Sequence, residues 1–419
     1  MKRVKNYTIF GVVLGCGMAA SAAAGTLQSL PQSAASLGVA LAGSAASAQN
    51  ADTSYYNPAG SPWIQHQDAG FSLNTNVSDN RFSGNEQISP TISGFSSSGR
   101  SQGGAMQYLP ALFYTAPLST KWGVGFSVTS PYQARLEYGD GAFTRYSLST
   151  FHLDTTDISP SVGYRFIKSL AVGFGVDVEY ANLDFDQVST TTSVANNAAG
   201  ESSAAGWGWG FNSGLIWQPT NTTRVGLDYH SRIYHHMSGD SVGSGLPSSR
   251  LHVGLTTPSQ YIFSVYQHIK TNWDVLGTAA YTRWSSMVSL HLQGLTTQPG
   301  IRGQHVFKNL RDSWYYSGAV RYRFSKGLLA KTAIGYQQAA VRDNRQTILA
   351  PNVSHVIFAL GANYAMTNTL NVDVGYSHYF QHDQKANAAH STPTGTINDN
   401  GTFTEAQDLF GVQLNWLMT

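Results

Sequence analysis

Apolar and polar residues alternate along most of this chain. From Val172 the run places Val172, Phe174, Val176, Val178 and Tyr180 on one parity and Gly173, Gly175, Asp177 and Glu179 on the other. A β-strand has a side-chain period of two, so this stretch predicts a strand with one apolar, aromatic face and one small or charged face. The preceding run is similar: Ile158, Val162, Tyr164 and Phe166 oppose Ser161, Gly163 and Arg165, and a few residues around Ile167 to Leu170 join the two. Such a pair fits a soluble sandwich with its apolar face inward. It fits equally a transmembrane barrel with that face toward lipid.

The same alternation recurs. Trp122, Val124, Phe126 and Val128 oppose Gly123, Gly125 and Ser127. Trp314, Tyr316, Val320, Tyr322 and Phe324 oppose Ser317, Arg321 and Arg323, and Leu370, Val372, Val374 and Tyr376 oppose Asn371, Asp373, Gly375 and Ser377. Phe410, Val412, Leu414, Trp416 and Met418 oppose Gly411, Gln413 and Asn415. Fourteen strands are expected, near residues 66–77, 106–117, 121–129, 151–166, 170–182, 206–217, 223–236, 260–268, 272–291, 312–324, 327–336, 354–364, 369–380 and 403–418. The six connections at 118–120, 167–169, 219–222, 269–271, 325–326 and 365–368 are short; the seven at 78–105, 130–150, 183–205, 237–259, 292–311, 337–353 and 381–402 are long and polar. A sandwich has no reason to alternate short and long turns throughout. An outer-membrane barrel with both termini in the periplasm does, and an even strand number is its rule. The expected fold is all-β: a 14-stranded antiparallel transmembrane β-barrel.

Composition agrees. Charged residues are 11% of the 419 residues, where soluble proteins carry about 25%. Beyond the amino-terminal segment no run approaches the ~18 apolar residues of a membrane helix. Residues 1–24 read as a signal peptide: Lys2, Arg3 and Lys5, an apolar run from Tyr7 to Ala20, then A-x-A sites at Ala20–Ala22 and Ala22–Ala24. Cys16, the single cysteine, lies within it; Val13-Leu14-Gly15-Cys16 weakly resembles a lipoprotein processing site, though the A-x-A sites suffice. Removing the leader's three basic residues takes the formal charge from +2 to −1, which gives nucleic-acid binding no support.

Residues 25–62 are rich in Ala and Ser, do not alternate and contain a turn at Tyr55-Tyr56-Asn57-Pro58-Ala59-Gly60. Exposed, this segment would be an odd tail; inside a barrel it would make a plug, with residues 63–419 as the wall. Aromatic residues near strand ends, among them Tyr55, Tyr56, Trp63, Trp122, Trp207, Trp217, Trp273, Trp284, Trp314 and Trp416, suit interfacial girdles.

The leader SAASLGVALAGSAASAQNADTSYYNPAG resembles the start of the FadL family, outer-membrane transporters of long-chain fatty acids and aromatic hydrocarbons. GWGWGFNSGLIWQP with TRVGLDYHSRIYHHMSGD, WDVLGTAAYTRWSS and LNVDVGYSHY match in order, so the resemblance runs from the leader to near the carboxyl terminus. It implies capture of a hydrophobic ligand in an outer groove, transfer to a lumenal site near the plug, and release sideways through a kink in the third strand, which here runs into Ser130-Pro131. In the family the plug turn is Asn-Pro-Ala, which places Asn57, Pro58 and Ala59 on the path. The chain departs from many such barrels in ending Trp416-Leu417-Met418-Thr419 rather than on an aromatic residue.

The expected function is passive outer-membrane transport of hydrophobic molecules, long-chain fatty acids foremost, by a monomer in the Gram-negative outer membrane, in contact with its lipid. Arg135 and Arg145, and also Lys168, are candidate partners for a carboxylate head group, although ordinary solvated charge explains each as well. The alternatives are a porin for polar solutes, an outer-membrane phospholipase and a surface adhesin. No catalytic residues are assigned: Ser264 with His268 carries no enzyme signature. No metal or cofactor is expected, since His235 and His236 are adjacent on a strand and must point to opposite faces, and the other histidines lack ligand spacing.

Overall fold

The computed structural model describes residues 27–419 apart from 91–95, 190–197, 288–289, 299–303, 307–309, 343–345, 349–351, 393–394 and 419. The signal-peptide and cleavage-site expectations lie outside the described residues. Fourteen antiparallel strands close into one barrel. They are β1 (Gln67–Pro90), β2 (Ser96–Gln102 and Met106–Pro117), β3 (Trp122–Thr129 and Gln133–Glu137), β4 (Thr150–Ile167), β5 (Leu170–Val188), β6 (Ala199–Thr220) and β7 (Thr223–His230 and Ile233–Gly243). The rest are β8 (Leu246–Thr257 and Ser259–Lys270), β9 (Trp273–Arg283 and Leu290–Gln293), β10 (Gln304–Val306 and Ser313–Ser325), β11 (Leu328–Gln337), β12 (His355–Ala365), β13 (Leu370–Phe380 and Gln384–Thr392) and β14 (Gly395–Met418). Each strand pairs with its neighbours in sequence, and β1 closes on β14 from Gln67↔Met418 to Pro90↔Gly395. Closure joins the two ends of the sheet, as a hydrocarbon surround requires, and leaves the ladder open locally, between β2 and β3.

The outer face is the apolar parity. Phe71, Phe174, Phe211, Trp217, Phe263, Ile334, Phe410 and Trp416 are all exposed. The opposite parity is buried toward the bore: Asp177, Glu179, Asn212, Arg321 and Asp373.

Several strands run well past the expected limits. β1 continues to Pro90, β5 to Val188, β8 begins at Leu246 and β14 at Gly395. These extensions were expected as polar loops. They lie beyond the six short turns' opposite end, outside the apolar band, so both faces are polar or mixed and the two-residue signal disappears while the backbone ladder continues.

Trp122, Trp207, Trp217, Trp273, Trp314 and Trp416 are exposed, as a girdle requires. Four rings expected in the girdles instead lie inside. Tyr56 and Trp284 are 2% and 3% exposed; Trp284 Nε1 donates to Ser313 Oγ at 2.9 Å. Tyr55 packs inside against the His230 ring, and Trp63 lies under the Arg165 guanidinium at 4.1 Å. Tyr55, Tyr56 and Trp63 belong to the segment inside the bore, not to the wall, so their nearness to the first strand in sequence carried no information about height.

Candidate functional site: the filled bore and an interrupted wall

The described chain begins inside the barrel. Three single-turn helices, α1 (Ala34–Leu37), α2 (Ser44–Ser47) and α3 (Thr53–Tyr56), and a 3-10 stretch over Pro58–Trp63 fill the bore. Such short pieces have no stability of their own. Each is tied to the wall instead. Ala34 N donates to Ser72 Oγ at 2.9 Å, Asn74 Nδ2 to the Pro31 carbonyl at 2.9 Å, Tyr315 OH to the Ala40 carbonyl at 2.7 Å and Gly43 N to Thr278 Oγ1 at 2.9 Å. Arg321 bridges Asp274 and Gln49, and Lys331 bridges Asp373 and the Ala35 carbonyl. Ala40 and Leu41 have φ of 45° and 63°. That left-handed backbone is costly for residues with a Cβ. The wall holds it: besides the Tyr315 bond, Thr278 Oγ1 donates to the Leu41 carbonyl at 3.0 Å.

The Asn57-Pro58-Ala59 turn is the most constrained point. Asn57 Oδ1 accepts from Ala59 N at 3.0 Å. Its Nδ2 donates to the carbonyls of Ala45 at 2.7 Å, Leu227 at 3.1 Å and Leu215 at 3.2 Å, so one amide joins the inner segment to β6 and β7. The wall beneath is glycine where the turn sits. A Cβ on Gly214 would lie 1.9 Å from Asn57 Oδ1, and one on Gly173 would lie 2.2 Å from Ala59 N. The small-residue face of the β5 alternation is thus a seat for the turn.

Strand β3 breaks beside this segment. β2 pairs with β1 along Met106–Thr115, but with β3 only from Leu112↔Val128 to Pro117↔Gly123. Met106–Ala111 have no ladder partner on the β3 side. Above Thr129 the β3 backbone turns into the bore, and the inner segment takes its bonds. Ser130 N donates to Gln32 Oε1 at 2.9 Å, Ser29 N to the Pro131 carbonyl at 2.9 Å and Gln133 N to the Leu27 carbonyl at 3.1 Å. Contact with β2 resumes where Glu137 N donates to the Gly103 carbonyl at 3.1 Å. The wall is therefore interrupted between the Leu112–Val128 pair and the Glu137–Gly103 bond. Pro131 marks the kink and Pro110 lies in the unpaired run, both places where a missing N–H costs no ladder bond. Inside the break, Tyr132 crosses the bore to donate its hydroxyl to the Pro258 carbonyl at 3.1 Å; Pro258 divides the two halves of β8.

The candidate head-group cations are not brought together. Arg135 lies on the inward part of β3, 3.8 Å from Glu137. Arg145 lies in the 138–149 loop, donates to the Ala142 carbonyl at 3.0 Å and covers the Tyr146 ring. Lys168 sits in a short turn, its carbonyl accepting from Arg165. His235 is buried and His236 exposed, as their adjacency requires. Ser264 and His268 point to separate partners, Thr278 and Asp274. Among the described residues no three His, Cys, Asp or Glu side chains are placed to hold a metal ion.

At the outer end the bore is closed by a second, apolar cluster. Phe82, Phe151, Phe185 and Phe403 are almost wholly buried there with Leu148, Leu153, Leu183, Leu251 and Leu292; Leu27 of the inner segment packs against it. Sequence reasoning missed this cap, whose residues are spread over strand extensions and a loop that looked polar overall.

A closed, fourteen-stranded barrel with an apolar outer face and a filled bore is an outer-membrane protein of the transporting kind. The family model described as outer membrane protein transport protein (OMPP1/FadL/TodX) matches residues 15–417, and the chain belongs to that family. It is 25% identical to the long-chain fatty acid transport protein of Escherichia coli O6:H1 over 324 residues, 66% of this chain and 70% of that one. It is 24% identical to outer membrane protein P1 of Haemophilus influenzae over 99% of this chain and 100% of that one. Among solved structures, a Pseudomonas aeruginosa FadL homologue superposes with a TM-score of 0.84 at 16% identity, covering 94% of this chain and 100% of that one. The Ralstonia pickettii toluene transporter TbuX gives 0.68 at 15% identity, with 94% and 100% covered. The family consists of transporters of hydrophobic compounds, not enzymes.

Proposed function

We propose that this protein carries hydrophobic molecules passively across the outer membrane, with residues 25–62 as its plug and the break in β3 as a lateral exit into the membrane. The observation that carries the reading is the coincidence of two features: the bore is filled, and the filling segment itself holds the β3 backbone out of the wall through Leu27, Ser29 and Gln32. Among the described residues the inner segment and the apolar cap obstruct the bore to a polar solute. An apolar one meets an apolar cap outside, a bore whose filling is held by hydrogen bonds, and an opening toward lipid, where burial of its tail is worth ~0.8 kcal/mol per CH2. Asn57, Pro58 and Ala59 anchor the plug. Long-chain fatty acids are the substrate the curated relatives favour; the toluene transporters among the structural neighbours favour small aromatic compounds. Uptake acts through a single chain, since path and exit lie within one barrel. On this reading transport is diffusive, driven by the substrate's own gradient.

The test is uptake of radiolabelled oleate into proteoliposomes. Leu109→Trp and Ala111→Trp, each adding bulk on the bore side of the unpaired β2 run, should slow uptake strongly while the barrel stays heat-modifiable on gels. Liposome swelling with sugars should be absent in the native protein. Swelling, with oleate uptake indifferent to both tryptophans and to deletion of residues 25–60, would instead establish the porin.

A further inference from the structure

Behind the break in β3 the bore carries an acidic wall that the transport path above leaves unused. Thr129, the last residue before the kink, pairs with Asp157 of β4. Asp177 and Glu179 of β5, Asp228 and His230 of β7 and His235 of β7 surround it on the bore side. Most of these groups have partners. Asp177 accepts from Ser159 Oγ at 2.7 Å and from Asn212, and His230 Nδ1 is 3.8 Å from its second oxygen. His230 Nε2 is 3.1 Å from Asp228 Oδ2, and His235 Nε2 is 3.2 Å from Glu179 Oε1. Asp157 has none. Its side chain is 3% exposed, and its buried Oδ1 has no hydrogen-bond partner among the described residues. An unpaired buried acceptor is costly; the hydroxyl of Thr129, opposite Asp157 in the ladder, is likewise buried and makes no hydrogen bond to it.

Among the described residues no arginine or lysine is paired with these carboxyls. Even with both imidazoles protonated, the four carboxyl groups of Asp157, Asp177, Glu179 and Asp228 outnumber the cations two to one. Arg135, the nearest guanidinium on the kinked strand, is directed to Glu137. The place is reachable from the bore: His230 keeps 15% side-chain exposure, and the Tyr55 ring of the plug, only partly buried, lies 5.2 Å from it. On the other side, Leu109, Ala111 and Phe113 of β2 give the bore face an apolar strip beside the break.

We propose that Asp157 and its neighbours form a head-group site that accepts amphiphiles whose head donates a hydrogen bond and is uncharged or cationic, and that turns away carboxylate anions. The tail would lie along the apolar strip of β2, and the head would give Asp157 the donor it lacks. The inference rests on the transport reading, narrowing its substrates to alcohols, amines and fatty acids in un-ionised form. Like-charge repulsion in a desolvated site is the term that excludes the anion.

The experiment is equilibrium binding of four radiolabelled C12 probes at pH 8 to the purified full-length protein: 1-dodecanol, dodecylamine, dodecanoate and methyl dodecanoate. Dodecanol and dodecylamine should bind about tenfold or more tighter than dodecanoate, which repels, and than the ester, which cannot donate. Asp157→Asn, which supplies an amide donor, should weaken dodecanol and strengthen dodecanoate, with Ser159→Ala as a control for packing loss alone. Dodecanoate binding as tightly as dodecanol, or an Asp157→Asn protein with an unchanged preference, would overturn the proposal. The proteoliposome assay separates the two levels. Uptake of all probes alike, blocked by Ala111→Trp, sinks only the head-group selection; uptake indifferent to that tryptophan sinks the route itself.

Discussion

The barrel interior has two packed regions that hold by different physics. Around the plug, small side chains meet a wall of polar groups, and nearly every turn of the inner segment is fixed by a directed bond: Asn57 to three carbonyls, Tyr315 to Ala40, Thr278 to Leu41. In the outer cap, large apolar rings pack on one another, with Phe82 4.8 Å from Phe403 and 5.7 Å from Phe143. Apolar packing is non-directional, so rings can shift to admit an apolar guest and lose little. Directed bonds permit one seating or none. On the proposed transport path the cap would therefore suit capture, and the plug would either keep its seat or leave it.

The sharpest break of this contrast is steric. Gly214→Val puts a Cβ onto Asn57 Oδ1, with no flexible neighbour to yield on the wall side. The turn should leave its seat altogether while the barrel still forms, because β6 keeps its ladders to β5 and β7. Limited proteolysis within residues 45–60 of the folded protein reads this directly; native-like protection would show that the seat tolerates bulk and is not a discrete position.

In the cap the corresponding change is Phe151→Ala. It removes a fully buried ring and should cost about 3–5 kcal/mol by the usual transfer and cavity terms, less if the cap collapses into the space. Measured in urea on the refolding barrel, a loss near the low end, with plug protection unchanged, would support a deformable cap. A loss at the high end, with the plug also released, would mean that the two regions are one core joined through Leu27.

These regions differed as much in how they could be read. The wall was legible because its two faces differ in polarity, and period two follows from that difference. The seven long and six short connections then fixed the strand number and the side of each turn. The parity of Gly173, Gly175, Asp177 and Glu179 correctly faced the bore. The cap had no such signature: Phe82, Phe143, Phe151 and Phe403 come together from segments that are polar on average, and only closure of the barrel brings them into contact. The acidic wall was half visible. Asp177 and Glu179 announce themselves by alternation, but the isolation of Asp157 depends on which donors β6, β7 and β8 bring near, which is a property of register.

Asn57→Ala is a smaller change at the seat. It removes the amide that bonds Ala45, Leu215 and Leu227 and the acceptor for Ala59 N, all in a site from which water is excluded. A loss of about 2–3 kcal/mol in seating is expected, short of the full release forced by Gly214→Val. Asn57→Asp keeps the acceptor and discards the donors, so it should be no better than alanine. If it protects the segment as well as asparagine does, the three carbonyl bonds are not what holds the turn.

The smallest expected effect is a pH dependence confined to the plug. Burial pushes the Asp52 carboxyl up to about 6, against the hydrogen bond from Ser33 Oγ at 2.8 Å; Asp373 and Asp68 face it as further acids and Lys331 as the opposing cation. A carboxyl raised on folding favours the folded seat in its neutral form. That contribution is complete below the ordinary value of 3.8 and is lost as the pH rises through about 6. The plug should therefore sit more tightly at pH 5 than at pH 7, by about 1 kcal/mol or less once residual solvent access to Asp52 is allowed for. Hydrogen exchange of residues 45–60 at the two pH values, corrected for intrinsic rates, measures it. Asp52→Asn should flatten the difference at the tight end, since the amide is neutral at both. The cap has buried acids of its own beside Phe82 and Phe403, namely Glu86, Asp399 and Glu405, so its response to pH is separate from that of Asp52, and Asp52→Asn should leave it unchanged. A cap whose response flattened together with the plug's in Asp52→Asn would mean that the contrast between directed and non-directed packing does not separate the two regions.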